Sequence, residues 1–451
     1  MLYQPLEHWS EREFMDCGVE DLREAKSISK MADKLLATPE NSFSSSVGNS
    51  LRKAAWRIFS KEEVDISYGH YRQSSLRCSS ESMVLVHQDT TDLNFGGHLA
   101  SEGLGDLGGS TGKPILGLCV HSALVTTEAG IPLGLISQKI WAPTVGSKEK
   151  KVIPHLPIEE KESYRWLEAL QDISHRLKDV SKVIVVSDRE SDFYEYIDAT
   201  RGRNVELLFR VHHLRRRVYA NGEKIALGQV SFSSLSEIDV FLPKSKTREA
   251  RKARLTISWG DIICPPSQRK KGSEHHLSLI IAKEMHPPKD QEAVEWYLLT
   301  TQKIVTLQQA LLCIEHYKKR WTIERWHYVL KQGLRIEKLQ FDTFTSLSNA
   351  ISLLSIVAWQ LYLLKKLAED YEDISADQVL TKIQLEVLGK QSQKKIRYLQ
   401  EALIRIAVLG GFTPSKKQPL PGEMTIWKGY KMLSLIVQGY KLANPKKYGT
   451  G

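Results

Sequence analysis

Between positions 317 and 331 a phenol, a guanidinium, a carboxylate and an ammonium group recur at fixed gaps: Tyr317, two residues, Arg320, three residues, Glu324, six residues and Lys331. At about 100° per residue, one helix through this stretch puts all four within an arc of roughly 60°, as a polar stripe about 20 Å long. Ile323, Trp326 and Leu330 point elsewhere. The same spacing also describes a solvated face in which Arg320 and Glu324 form an ordinary i, i+4 pair, worth about a few tenths of a kcal/mol. The chemistry therefore depends on whether other carboxylates are presented to this helix.

Two aspartates are candidates. Met83–His87 is an apolar, β-prone run that ends in Gln88, Asp89, Thr90 and Thr91, and Lys182–Val186, KVIVV, ends in Ser187 and Asp188. A carboxylate at the end of a buried strand projects from rigid backbone and suits a metal ligand. Asp89 also fits a turn cap beside its threonines, and Asp188 an N-cap for the helix expected over Asp192–Ala199.

The elements that would position these residues follow from periodicity. Strands are expected at Met83–His87, Ile115–Thr126, Leu133–Trp141 (entered through Pro132), Lys182–Val186 and Val205–Arg210, with a helix over Glu162–Lys178 before the fourth. The glycine-rich stretch Gly96–Lys113 ends in GGSTGK, but Leu107 and Pro114 occupy positions where a phosphate loop needs glycine and Ser or Thr. It is read as a turn and not as a nucleotide site. Residues 211–303 interrupt the pattern with further strands at Val230–Phe241, Arg254–Cys264, Leu277–Ala282 and Val294–Thr300, and with basic runs at Arg215–Arg217, Lys244–Arg254 and Arg269–Lys271.

The chain of 451 residues has a net charge of +10, unevenly placed: residues 1–80 sum to about −1 and residues 201–300 to about +7. A local basic surface points to a polyanion. Cys17, Cys78, Cys119, Cys264 and Cys313 show no paired spacing, which argues against a zinc site or a disulfide framework and fits a reducing cytoplasm. No secretory signal is visible at the N-terminus, and the longest apolar stretch, Ile351–Leu364, is broken by Ser355 and Gln360 and reads as a buried helix, so no membrane partner is expected.

The signature Tyr317, Arg320, Glu324, Lys331, together with Asp188 followed by arginine and glutamate, resembles the insertion-sequence DDE transposases of the cut-and-paste, hairpin-forming branch. The resemblance extends over roughly Trp9–Leu442. It implies an α/β fold with an RNase H-like catalytic core, in agreement with the strand and helix order above, a β-rich insertion, and helical domains at both ends. Asp89, Asp188 and Glu324 would be both the catalytic residues and the ligands of two Mg²⁺ or Mn²⁺ ions, since all-oxygen ligands select such cations. Tyr317, Arg320, Lys331 and Arg210 would contact DNA. Trp296, in EWYLLT, would hold a flipped base.

The expected division is residues 1–75 as a helical DNA-end-binding domain, including Arg52, Lys53 and Arg57, residues 80–345 as the catalytic core, and residues 346–451 as a helical dimerisation region. Within the last, helices are expected over Ser346–Asp370, Thr381–Val408 and Trp427–Leu442. The partners implied are double-stranded DNA, as transposon ends and target, and a second copy of the chain in the DNA complex. Two other readings stay open: a silent end-binding relic that inhibits a related enzyme, and an RNase H-like nuclease without transposition.

Overall fold

Runs of β-branched residues set the sheets. In the computed structural model, which describes residues 9–19, 21–39, 41–97, 101–108, 114–143, 156–233, 235–242, 250–266, 272–289, 293–416 and 418–448, the strands in chain order are β1 (Met83–Asn94), β2 (Gly105–Asp106), β3 (Leu116–Thr127), β4 (Pro132–Trp141), β5 (Lys182–Ser187), β6 (Val205–Arg210), β7 (Arg217–Ala220), β8 (Glu223–Ala226), β9 (Leu235–Leu242), β10 (Arg251–Cys264), β11 (His275–Glu284) and β12 (Glu295–Thr300). The chain divides into two compact units. One comprises Met1–Ser80, Thr90–Ser147 and Ile323–Gly451, and the other Glu81–Asp89 and Lys148–Thr322.

In the second unit the strand order is β1, β5, β6, β12, β11, β10, β7, β8, with β9 on β10. β1, β5 and β6 are parallel. β5 reads VIVV because a parallel strand is covered on both faces, and Val183–Ser187 is buried throughout. Antiparallel β12 closes this run with Leu298 opposite Arg210. Leu85, Ile184, Val186, Leu208 and Leu298 pack against Ile314 and Tyr317 of the helix Leu307–Lys318. A capping box between Thr306 and Gln309 starts that helix.

The insertion strands lie close to the expected ones, with two differences. The first begins at Leu235 and not at Val230. The hairpin β7–β8 was not expected, although its Asn221-Gly222 turn, with φ of 51° and 83°, is the strongest short-range hairpin signal a sequence offers.

In the first unit, helices Trp9–Phe14, Leu22–Ala37, Phe43–Phe59 and Tyr68–Cys78 share one hydrophobic core with Phe344–Asp370, Leu399–Leu409 and Glu423–Ala443. Segments far apart in sequence are thus one packed body. Tyr68–Cys78 runs past residue 75, where the first domain was expected to end. Phe344–Asp370 is long and apolar enough to span a membrane, but 83% of its apolar window is buried inside the protein. It accepts a hydrogen bond from Trp326 Nε1 at the Ser355 carbonyl, and its Asn349 donates to the Phe59 carbonyl.

A buried ionic network also joins elements of this unit. Glu13 contacts His70 Nδ1 at 2.5 Å and Arg77 Nη1 at 2.7 Å, and the Arg77 guanidinium lies 4.5 Å from the Trp359 ring centroid. The expected continuous helix Thr381–Val408 is two helices, Lys382–Ser392 and Leu399–Leu409. Gln393, with φ of 54°, caps the first in the left-handed region.

Candidate active site

Asp89 does not end a short strand as its sequence suggested. It lies inside β1, which continues to Asn94. What ends there is the pairing: Met83–His87 pairs in parallel with Lys182–Val186, His87 opposite Val186. Two residues beyond these last paired positions stand Asp89, still within β1, and Asp188, just past the end of β5; neighbouring strands run about 4.8 Å apart. Asp188 directly follows β5 and caps the turn Arg189–Ser191, its Oδ1 accepting from the Glu190 N–H at 2.9 Å. Ser191 Oγ donates back to the Asp188 carbonyl at 2.9 Å. The cap and a ligand role are compatible, because a carboxylate offers about four acceptor positions and the cap uses one.

Cations and aromatic rings of the same unit surround this pair. Arg320 Nη1 lies 3.8 Å from Asp89 Oδ2, with both side chains largely buried. Tyr317 is buried, its ring centroid 6.1 Å from that of Trp296 in an edge arrangement with an interplanar angle of 62°. Burial pushes the Tyr317 hydroxyl above its usual pKa. Arg320 and Arg210, by charge, and a hydrogen bond with Arg320 pull it down less, and the charge of Asp188 adds to the rise. The phenol is therefore a neutral donor at ordinary pH.

Arg210 reaches the same hydroxyl and donates through Nη2 to the Glu295 carbonyl at 2.9 Å. Burial first, then Arg189 and Arg320, lower its pKa against Tyr317. The second unit thus gathers six of the expected site residues: Asp89, Asp188, Arg210, Trp296, Tyr317 and Arg320.

His87 belongs to this site and was not anticipated. It is fully buried on β1, two residues before Asp89 and so on the same strand face. Burial, with Arg320, Lys319 and His316, pushes its pKa down to about 3, so it is neutral. The period-2 alternation of HQD held the signal.

The single helix expected from Tyr317 to Lys331 is broken. Leu307–Lys318 ends in a tight turn, with the Arg320 N–H donating to the Tyr317 carbonyl at 3.0 Å, and a new helix runs Trp321–Tyr328. A π-turn, Val329–Gly333, follows, marked by the Leu334 N–H donating to the Val329 carbonyl at 3.0 Å. Both breaks shift the helical phase, so the four signature residues do not form one continuous stripe. Such π-turns recur at functional sites. Glu324 and Lys331 are carried by the first unit, where Ile323 and Trp326 anchor their segment in the core.

Among the described residues, no three His, Cys, Asp or Glu side chains are gathered closely enough to hold a metal ion. Asp89 and Asp188 each carry carboxylate oxygens, the donor type that suits a hard cation, two residues beyond the last paired positions of β1 and β5.

Several cations of the basic insertion already have partners within the protein. Arg216 is ion-paired at 2.7 Å with Asp192, whose side chain is fully buried, and Arg217 donates to the Lys224 carbonyl. Arg251 pairs with Glu284 and Arg254 with Asp239. Residues 244–249 of the expected run 244–254, and the whole run 269–271, lie outside the described residues. In the N-terminal helices Arg52 and Lys53 are exposed, while Arg57 lies 3.5 Å from Glu24.

Residues 165–360 match the family model described as a transposase DDE domain. The match supports an insertion-sequence DDE transposase in general. It spans Asp188, Arg210, Trp296, Tyr317, Arg320, Glu324 and Lys331, and Asp89 lies outside it.

Proposed function

We propose that this chain is a cut-and-paste DNA transposase of the hairpin-forming branch, with Asp89, Asp188 and Glu324 as its acidic triad. The observation that carries the reading is the pair Asp89 and Asp188, each two residues beyond the β1–β5 pairing, faced by Arg320, Tyr317 and Arg210. Strand neighbours support an RNase H-like core: β1 neighbours β3 and then β4 in one unit, and β5 and then β6 in the other.

Asp89, Asp188 and Glu324 are the residues that would hold two divalent cations, Mg²⁺ or Mn²⁺, which would supply charge neutralisation and an activated water. Arg320, Arg210 and the neutral Tyr317 hydroxyl donate to phosphate oxygens and stabilise the charge that gathers on them as the scissile bond opens. Hydrolysis forms one bond from water oxygen to phosphorus, breaks the bond to the 3′ oxygen, and leaves a 3′-OH and a 5′-phosphate. That 3′-OH then attacks a phosphate of the opposite strand, displacing the 3′-OH of the flanking DNA and giving a hairpin; water reopens the hairpin, releasing the 3′-OH again, and this attacks a target phosphate and displaces a target 3′-OH. Trp296 offers its ring to a base taken out of the stack, and Lys331 grips a phosphate. The helical regions at residues 1–75 and 346–451 bind transposon ends and form the dimer on DNA, and the protein works in the cytoplasm.

The reading is tested by incubating the purified protein and Mg²⁺ with DNA that carries the gene and its native flanks. Hairpin-ended fragments support it. Cleavage with no 3′-OH joining would reduce it to a nuclease, and binding without cleavage to an end-binding relic.

A further inference from the structure

We infer that a groove in the first unit, between the helix Lys382–Ser392 and the turn Gln393–Tyr398, binds the phosphate backbone of double-stranded DNA outside the catalytic site. The groove encloses about 850 Å³ and is lined by five cations, Lys382, Lys390, Lys394, Lys395 and Arg397, against two carboxylates, Asp377 and Glu386. Both carboxylates already have partners, and Lys390 of the groove lies 3.8 Å from Glu386 Oε1. Glu386 accepts from the Tyr440 hydroxyl at 2.7 Å and from Lys447 at 2.9 Å, and Asp377 accepts from the Ser375 hydroxyl at 2.6 Å.

Lys390 donates to Tyr440. Lys382, Lys394, Lys395 and Arg397 are exposed and have no carboxylate partner among the described residues. The left-handed cap at Gln393 turns the chain so that Lys394, Lys395 and Arg397 follow the helix end around the groove, whose buried floor is Ile396.

A solvated lysine face would need no concave wall and would pair its cations with nearby acids. Here Glu386 is shared by Tyr440, Lys447 and Lys390, and four cations, Lys382, Lys394, Lys395 and Arg397, are left over. A second copy of this chain is a poor occupant, because a two-fold interface sets the same patch near itself and would oppose like charges. A polyanion of regular spacing fits, and each phosphate neutralised releases counterions and steepens the salt dependence of binding. The groove therefore adds a DNA contact to a region otherwise read as dimerisation surface. Only the choice of DNA over an acidic protein rests on the transposase reading.

The test is binding of the full chain to a duplex of unrelated sequence across a salt series, which requires neither a transposon end nor cleavage. The triple variant Lys394→Gln, Lys395→Gln, Arg397→Gln should flatten the slope of log Kd against log salt by about 2 to 3, at roughly 0.9 for each phosphate that is no longer neutralised. It should keep the wild-type melting temperature, since all three side chains are exposed. The control Lys428→Gln, Lys431→Gln, Lys441→Gln removes the same charge from exposed positions on Glu423–Ala443 and should leave the slope within about 1 of wild type. Equal flattening in both variants, or none in the first, would overturn the assignment. A slope unchanged in the groove variant, with loss of binding to a polyglutamate probe, would replace DNA by an acidic protein. Glu324→Gln should not alter the slope, so failure of the catalytic reading stays distinguishable.

Discussion

Asp89 and Asp188 each stand two residues beyond the paired positions His87 and Val186 of parallel strands, so the β1–β5 pairing brings together two chain segments that are nearly one hundred residues apart in sequence. The pairing is fixed by main-chain hydrogen bonds between β1 and β5, and slipping it by one residue would turn every side chain of β1 to the opposite face.

From that register, Asp89→Asn and Asp188→Asn should each keep the fold and lower strand cleavage by about a thousandfold or more, the several kcal/mol that metal-assisted charge stabilisation contributes. Binding to DNA ends in a gel-shift assay should persist, because the cations are untouched. Near-normal cleavage by either variant would remove that aspartate from the site.

Tyr317 separates hydroxyl from ring. Tyr317→Phe keeps the edge contact with Trp296 but removes the hydroxyl that accepts from Arg320 and Arg210. Stability should fall by about 1 kcal/mol, while single-turnover cleavage falls tenfold or more at saturating DNA. If only the apparent Kd changed, the hydroxyl would serve binding and not the reacting phosphate.

Trp296→Ala removes the ring that packs on Tyr317, an interaction worth about 0.5–1.5 kcal/mol. First-strand nicking should continue, and nicked DNA should accumulate ahead of the hairpin on a denaturing gel. A normal hairpin yield would return Trp296 to a packing role alone.

The network at Glu13 predicts acid lability. Burial raises the Glu13 carboxyl, but the charge of Arg77 and the contacts with His70 and Arg77 outweigh it and hold it at about 2, and burial lowers His70. Both folded-state values lie below the unfolded ones, so both contributions are present above the unfolded values and are lost as pH falls through the folded ones. The melting temperature should decline from about pH 6.5 downward. Glu13→Gln should cost about 3 kcal/mol at pH 7, as when one partner of a buried pair is removed, and the gap to wild type should narrow towards pH 2. A gap independent of pH would show that the carboxylate's charge does not matter.

Much of the fold is legible in the sequence wherever a local rule decides the outcome. β5 and β6 follow from continuous apolar runs, and the capping box at Thr306 from its Gln309 partner. Asp188 at the end of β5 is readable for the same reason. The place of Asp89 is not, because HQDTTD is polar, and only pairing with β3 beyond the reach of β5 keeps that stretch extended. The turn at Lys319–Arg320 and the π-turn at Val329–Gly333 leave no mark in a 3.6-residue pattern. They follow from tertiary packing of Ile323, Trp326 and Leu330 into the core, which a spacing argument on one ideal helix cannot contain. His87 is readable from alternation alone. The loss of Arg216 from the basic surface is not, since its partner Asp192 lies more than twenty residues away.

The most direct measurement is Mg²⁺-dependent cleavage of DNA bearing this gene's native flanks, resolved on a denaturing gel for wild type and Glu324→Ala side by side. The account predicts hairpin-ended fragments from wild type, and from Glu324→Ala none, with DNA binding intact. Hairpins from Glu324→Ala at wild-type yield would contradict the triad, and the proposed chemistry with it.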